Sequence, residues 1–147
     1  MTFTIYKPNP TSGTRSMGTP TIYFSVVARR NDRGRQGTFY ANAALFTQLE
    51  ADAQKLAIKK HGERHEGPIP VLILTDQDNN GFALAATVEG DPNAVPMHLN
   101  ASRKATIPGG FTLATKLHIA PGAYPTTEHT DRGATLRTIT YRRGPDV

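Results

Sequence analysis

Arg29, Arg30, Arg33 and Arg35 fall within one seven-residue stretch, Arg103 and Lys104 form a second basic focus, and Arg137, Arg142 and Arg143 a third. Guanidinium and ammonium groups grouped in this way can each neutralise a phosphate, so the chemistry they suggest is polyanion recognition. The segment from Arg103 to Gly122 adds a device to present them: a basic pair, a short strand, a Pro108-Gly109-Gly110 break, an apolar run and a second turn at Pro121-Gly122. The acids gather elsewhere, at Glu63/Glu66, Asp76/Asp78 and Glu89/Asp91, so the chain is segregated by charge. With 17 Lys+Arg against 12 Asp+Glu the formal net charge is +5, the sign a polyanion binder needs. The expected nucleic-acid-binding residues are therefore Arg29, Arg30, Arg33, Arg35, Arg103, Lys104 and Arg137.

Residue patterns for catalysis are missing. There is no Gly-x-Ser-x-Gly elbow, no Walker loop and no Gly-x-Gly-x-x-Gly, and none of the four serines lies in a motif that pairs it with a base. His61 and His65 have the i, i+4 spacing of two metal ligands, but Gly62 ends a helix between them, which makes them solvated linker histidines. Asp76, Asp78, Asn80 and Gly81 match the opening of a calcium loop. The position that must supply a bidentate Glu is Thr87 and the flanks read as strands, so a polar hairpin turn is expected there. Without cysteine there is no disulfide framework and no thiolate metal site. The expectation is a non-enzyme with no cofactor and no metal.

The elements that must position these groups follow from periodicity. Residues 1–20 read as an extended N-terminal arm: Thr2–Tyr6 alternates like a strand, and Pro8, Pro10 and Gly13 then break it. Residues 21–28 are rich in β-branched and aromatic side chains, 31–37 have turn chemistry and 38–41 return, giving a hairpin with Arg33 and Arg35 at its tip. Tyr6, Tyr23, Phe24, Phe39 and Tyr40 interleave with this basic cluster; Phe24 and Phe39 read as sheet core. One principal helix is expected over about 43–61: Asn42 is its N-cap, Leu45, Phe46, Leu49, Ala53 and Leu56 form its apolar stripe, and Gly62 stops it. Lys55, Lys59 and Lys60 match the helix dipole and read as a solvated end rather than an edge facing DNA.

A hairpin is expected over 71–88, short strands at 95–99 and 104–107, a helical turn at 112–116, and a last strand at 134–141. That last strand sets Leu136, Thr138 and Thr140 against Thr135, Arg137 and Ile139, and neither face is cleanly apolar. The fold class is α+β and β-rich, either a small barrel or a twisted antiparallel sheet with one principal helix. Residues 21–147 make one domain, whose parallel order of elements suggests two pseudo-repeats, 21–91 and 92–147.

Thr106-Ile-Pro108, an apolar stretch and Leu117-His-Ile-Ala-Pro-Gly122 resemble the swapped-hairpin DNA-binding domain of the AbrB/MazE family, over residues 103–141. The resemblance implies that Arg103 and Lys104 lie on the DNA-facing strand and that Pro121-Gly122 turns into the final hairpin. Eight residues separate Thr-Ile-Pro from Leu117, His118 stands in place of the family's glycine and Ala123 in place of its acidic turn residue. Three function classes remain. The first expectation is a double-stranded DNA binder acting through basic β-hairpins, a regulator or antitoxin-like protein. The alternatives are a single-stranded DNA or RNA binder that stacks bases on aromatics, and a structural or assembly protein such as a virion component. The free arm suggests a homo-oligomer, most simply a dimer. No apolar run spans a membrane and no leader is apparent, so the cytoplasm is expected, or the host cytoplasm if the protein is viral.

Overall fold

The structure is a computed structural model that describes residues 18–28 and 35–144. Among the described residues, nine strands and two α-helices follow one another as β1 (Thr21–Ala28), β2 (Arg35–Asn42), α1 (Ala43–His61), β3 (Ile69–Asp76), β4 (Gly81–Ala86), β5 (Val95–Met97), β6 (Lys104–Thr106), α2 (Gly110–Lys116), β7 (Gly122–Pro125), β8 (Thr127–Asp131) and β9 (Ala134–Thr140). The class is α+β with strand in excess. Among the described residues no barrel closes: the strands form two open antiparallel sheets, ordered β6-β2-β1-β7 and β5-β3-β4-β9-β8. Both sheets draw strands from 21–91 and from 92–147.

Alternation explains which faces are buried. Ile22 and Phe24 of β1, Phe39 and Ala41 of β2, Ala105 of β6 and Tyr124 of β7 all point inward. They join Ile69, Val71, Phe82, Leu84 and Ile139 of the second sheet, and Leu45, Phe46, Leu49 and Ala53 of α1, in one hydrophobic cluster. Phe24 meets Phe39 edge-on at 5.6 Å, and Phe39 meets Phe82 across the sheets at 5.1 Å. Each such ring pair adds roughly 0.5–1.5 kcal/mol beyond the area it buries. Gly37 of β2 is required by close approach, since a Cβ there would fall 1.8 Å from the carbonyl oxygen of Ser25.

The helix begins as its sequence dictates. Asn42 accepts from the backbone N–H of Leu45 at 3.0 Å and from that of Thr21 at 3.1 Å, so one cap ties α1 to the start of β1. Gly62, left-handed at φ 76°, ends it by donating its N–H to the Ile58 carbonyl. The apolar stripe departs from expectation at its end. Ala57 is buried while Leu56 is 36% exposed, because small residues let the last turns approach the sheet closely. The β3–β4 hairpin pairs Val71 with Ala86 through Asp76 with Gly81, around a turn in which Asn80 is left-handed at φ 52°.

A further difference concerns the last strand. Its inward face is Thr135, Arg137 and Ile139, and Arg137 is only 8% exposed. The pattern was not cleanly apolar because a charge lies inside it. Asp52 of α1 receives that charge, with Arg137 donating from Nε at 3.2 Å and from Nη2 at 3.0 and 2.9 Å.

Candidate nucleic-acid interface

The inward-facing alternation of β1, β2, β6 and β7 leaves their other face to solvent. Tyr23 and Ser25, Thr38 and Tyr40, Lys104 and Thr106, and Ala123 and Pro125 project from it, the two tyrosines half-buried and the rest exposed. Strand register sets them in rows. Tyr40 is opposite both Tyr23 and Thr106, and Tyr23 is opposite Ala123, so one row across the sheet reads Thr106, Tyr40, Tyr23, Ala123. The two tyrosine rings are stacked, with centroids 5.2 Å apart and planes 16° from parallel. The Lys104 ammonium stands 4.9 Å from the Tyr40 ring centroid, a cation–π contact. In the next row towards the β1–β2 connection the hydroxyls of Ser25 and Thr38 are hydrogen-bonded at 2.8 Å.

A tight turn fixes the basic pair at one end of this face. Asn100 accepts the Lys104 N–H on its side chain at 3.0 Å, donates its own N–H to the Lys104 carbonyl, and accepts the Arg103 N–H on its carbonyl. Arg103 is held left-handed at φ 60°, a conformation of order 1–3 kcal/mol above the ordinary one for a residue with a Cβ. Both Arg103 and Lys104 are exposed, and among the described residues neither has an acidic partner within ion-pair distance.

The other expected site residues divide. Arg29, Arg30 and Arg33 lie outside the described residues, and so does the side chain of Arg35, whose backbone opens β2. Arg137 is not part of an exposed basic surface: Asp52 holds it inside, and Glu128 approaches it at 3.5 Å. Pro121-Gly122 leads into β7, which pairs with β1, while the turn of the final β8–β9 hairpin is Arg132-Gly133, both left-handed. Tyr23 and Tyr40 were visible in sequence only as aromatics near a basic cluster. Their signal is the alternation Ile-Tyr-Phe and Phe-Tyr-Ala, in which the tyrosines take the face opposite the core. Ala123 and Thr106 carry no signal of their own, since only the pairing of distant strands brings them into the row.

Two concave regions lie elsewhere. A cavity of about 730 Å³ is lined by His61, Glu63, His65, Glu66 and Glu89. His65 is not a solvated linker residue: its ring bonds the Pro68 carbonyl at 2.7 Å, its backbone is held by Gln54, and Glu89 lies 3.6 Å away. Among the described residues no three His, Cys, Asp or Glu are placed to hold a metal ion. The second cavity, about 670 Å³, lies where β4 and β9 part beyond Leu84 and Arg137.

Between β4 and β5, Asp91 accepts the Asn93 N–H and the Thr87 hydroxyl, with Lys60 nearby, and these hold its carboxyl below the usual value of 3.8. A depressed carboxylate stabilises the fold at pH above its unfolded value, and that contribution is lost as pH falls through the folded one. An NMR titration should therefore find the Asp91 midpoint below 3.8, and Thr87→Val should raise it.

Among the described residues no helix is long and apolar enough to cross a membrane. Compared with protein families, with characterised proteins and with solved structures, the chain finds no match in any of the three.

Proposed function

We propose that this protein binds single-stranded nucleic acid without catalysis, along the open face of the β6-β2-β1-β7 sheet. The observation that carries the reading is the stacked Tyr23–Tyr40 pair, placed on a solvent-facing sheet with Lys104 beside it. Bases unpaired from a partner strand offer both π-faces, and an aromatic platform with a flanking cation engages base and phosphate together. As a cross-strand pair the tyrosines also stabilise the sheet, but their half-exposed rings leave aromatic surface on which a base can stack.

Binding to duplex DNA is the second reading, favoured by the β1–β2 hairpin, whose connection carries Arg29, Arg30 and Arg33. A two-stranded ribbon fits the major groove. The likeness of residues 103–141 to AbrB/MazE domains belongs with this reading.

Lys104 separates charge from stacking. Replacing it with alanine should weaken binding of an oligothymidylate at low salt. The slope of log affinity against log salt should become shallower by about 0.7, the value for one lost phosphate contact on a single strand. An unchanged slope in a titration from low to physiological salt would remove Lys104 from the interface.

A further inference from the structure

We infer that the space above Ala123, beside the free face of Tyr23, is a stacking slot that takes one nucleobase. The inference rests on the single-strand reading above and narrows it to one position.

Each tyrosine ring has two faces, and the Tyr23–Tyr40 stack uses one of each. The other face of Tyr40 looks towards β6, where Thr106 is its register partner and the Lys104 ammonium already stands over the ring. The other face of Tyr23 looks towards β7, where its register partner is Ala123. Paired residues of an antiparallel ladder project from the same face, one strand spacing of about 4.8 Å apart. A methyl group is the smallest side chain that can stand there, so Ala123 covers less of that face of Tyr23 than any larger residue would. Ala123 is exposed, so a flat ring can approach from above the sheet.

The slot is bounded on the same face. Ser25 follows Tyr23 two positions along β1, and Pro125 follows Ala123 two positions along β7, opposite Thr21. Register pairing of β1 with β7 stops at Phe24 and Gly122, so no β7 residue stands opposite Ser25. An apolar floor, an aromatic wall and one hydroxyl at the rim suit a planar heterocycle with polar edges. Lys104 lies on the far side of the tyrosine pair, where it would meet the phosphate of a neighbouring nucleotide. Charge complementarity therefore favours a base that belongs to a strand over an isolated uncharged ring.

The test uses the full chain and an oligothymidylate carrying one 2-aminopurine, whose emission falls when it stacks. Affinity is read by anisotropy, stacking by the quench, and phosphate contacts by the salt slope. Ala123→Leu fills the slot; it should lower affinity about tenfold and abolish the quench while the salt slope stays the same. Thr130→Leu makes a comparable change on exposed β8 of the other sheet and should behave as the parent. Should Ala123→Leu not fold by circular dichroism, Ala123→Val fills the same space with a residue suited to a strand. If a folded, filled variant binds and quenches like the parent while Tyr23→Ala still weakens binding, the slot is overturned and the sheet-face reading stands. If the parent itself neither binds nor quenches, the slot falls together with that reading.

Discussion

Replacing Asp52 with alanine is expected to lower the free energy of unfolding by about 3 kcal/mol, the cost of leaving a buried guanidinium without its partner. Arg137 donates to both carboxylate oxygens of Asp52, and their side chains are only 9% and 17% exposed. Glu128 is 3.5 Å from the same guanidinium but mostly exposed, so it offsets a small part of the loss. Urea denaturation at neutral pH measures the effect. Asp52→Leu combined with Arg137→Met should restore most of the stability, because an apolar pair of similar volume replaces a desolvated ionic one at little net cost. A loss below about 1 kcal/mol for Asp52→Ala would mean that the pair behaves as an exposed salt bridge. The double variant should bind nucleic acid as the parent does, since Arg137 points into the fold.

The largest effect on binding is expected from Tyr23→Ala with Tyr40→Ala. Loss of base–aromatic stacking costs about 1–3 kcal/mol per base, so the double variant should bind an oligothymidylate about 100-fold more weakly. The same change removes a cross-strand ring pair on a half-exposed face, worth roughly 0.5–1.5 kcal/mol to the fold. Binding should therefore fall far more than stability does. Tyr23→Phe with Tyr40→Phe keeps both rings and should keep most of the affinity. Equal affinity of the alanine variant and the parent, by anisotropy at fixed salt, would show that the rings serve the sheet alone.

Local chemistry made much of the fold readable. Asn42, Gly62 and the alternation of 21–28 and 38–41 each state their own conformation, and α1, the β1–β2 pairing and the 71–88 hairpin follow. Long-range pairing did not announce itself. Nothing local says that β7 lies beside β1 or that β6 lies beside β2, and these two pairings complete the tyrosine row. Arg137 shows the same limit in another form: a guanidinium reads as surface charge until the carboxylate 85 residues away is seen to meet it. Leu56 misled for a different reason, because the helix turns its alanines inward and a leucine one position off the stripe is left exposed. Basic composition pointed to a polyanion, while the choice of face depended on which tyrosines the sheet leaves uncovered.

The most direct measurement compares one single-stranded oligonucleotide with a duplex of equal charge, by competition at physiological salt. Phosphate neutralisation alone treats the two alike apart from charge density, whereas stacking on Tyr23 and Tyr40 is open only to unpaired bases. The account predicts tighter binding of the single strand, by at least tenfold, and loss of that preference in the Tyr23→Ala/Tyr40→Ala variant. Tighter binding of the duplex, unchanged by removing both rings, would contradict it.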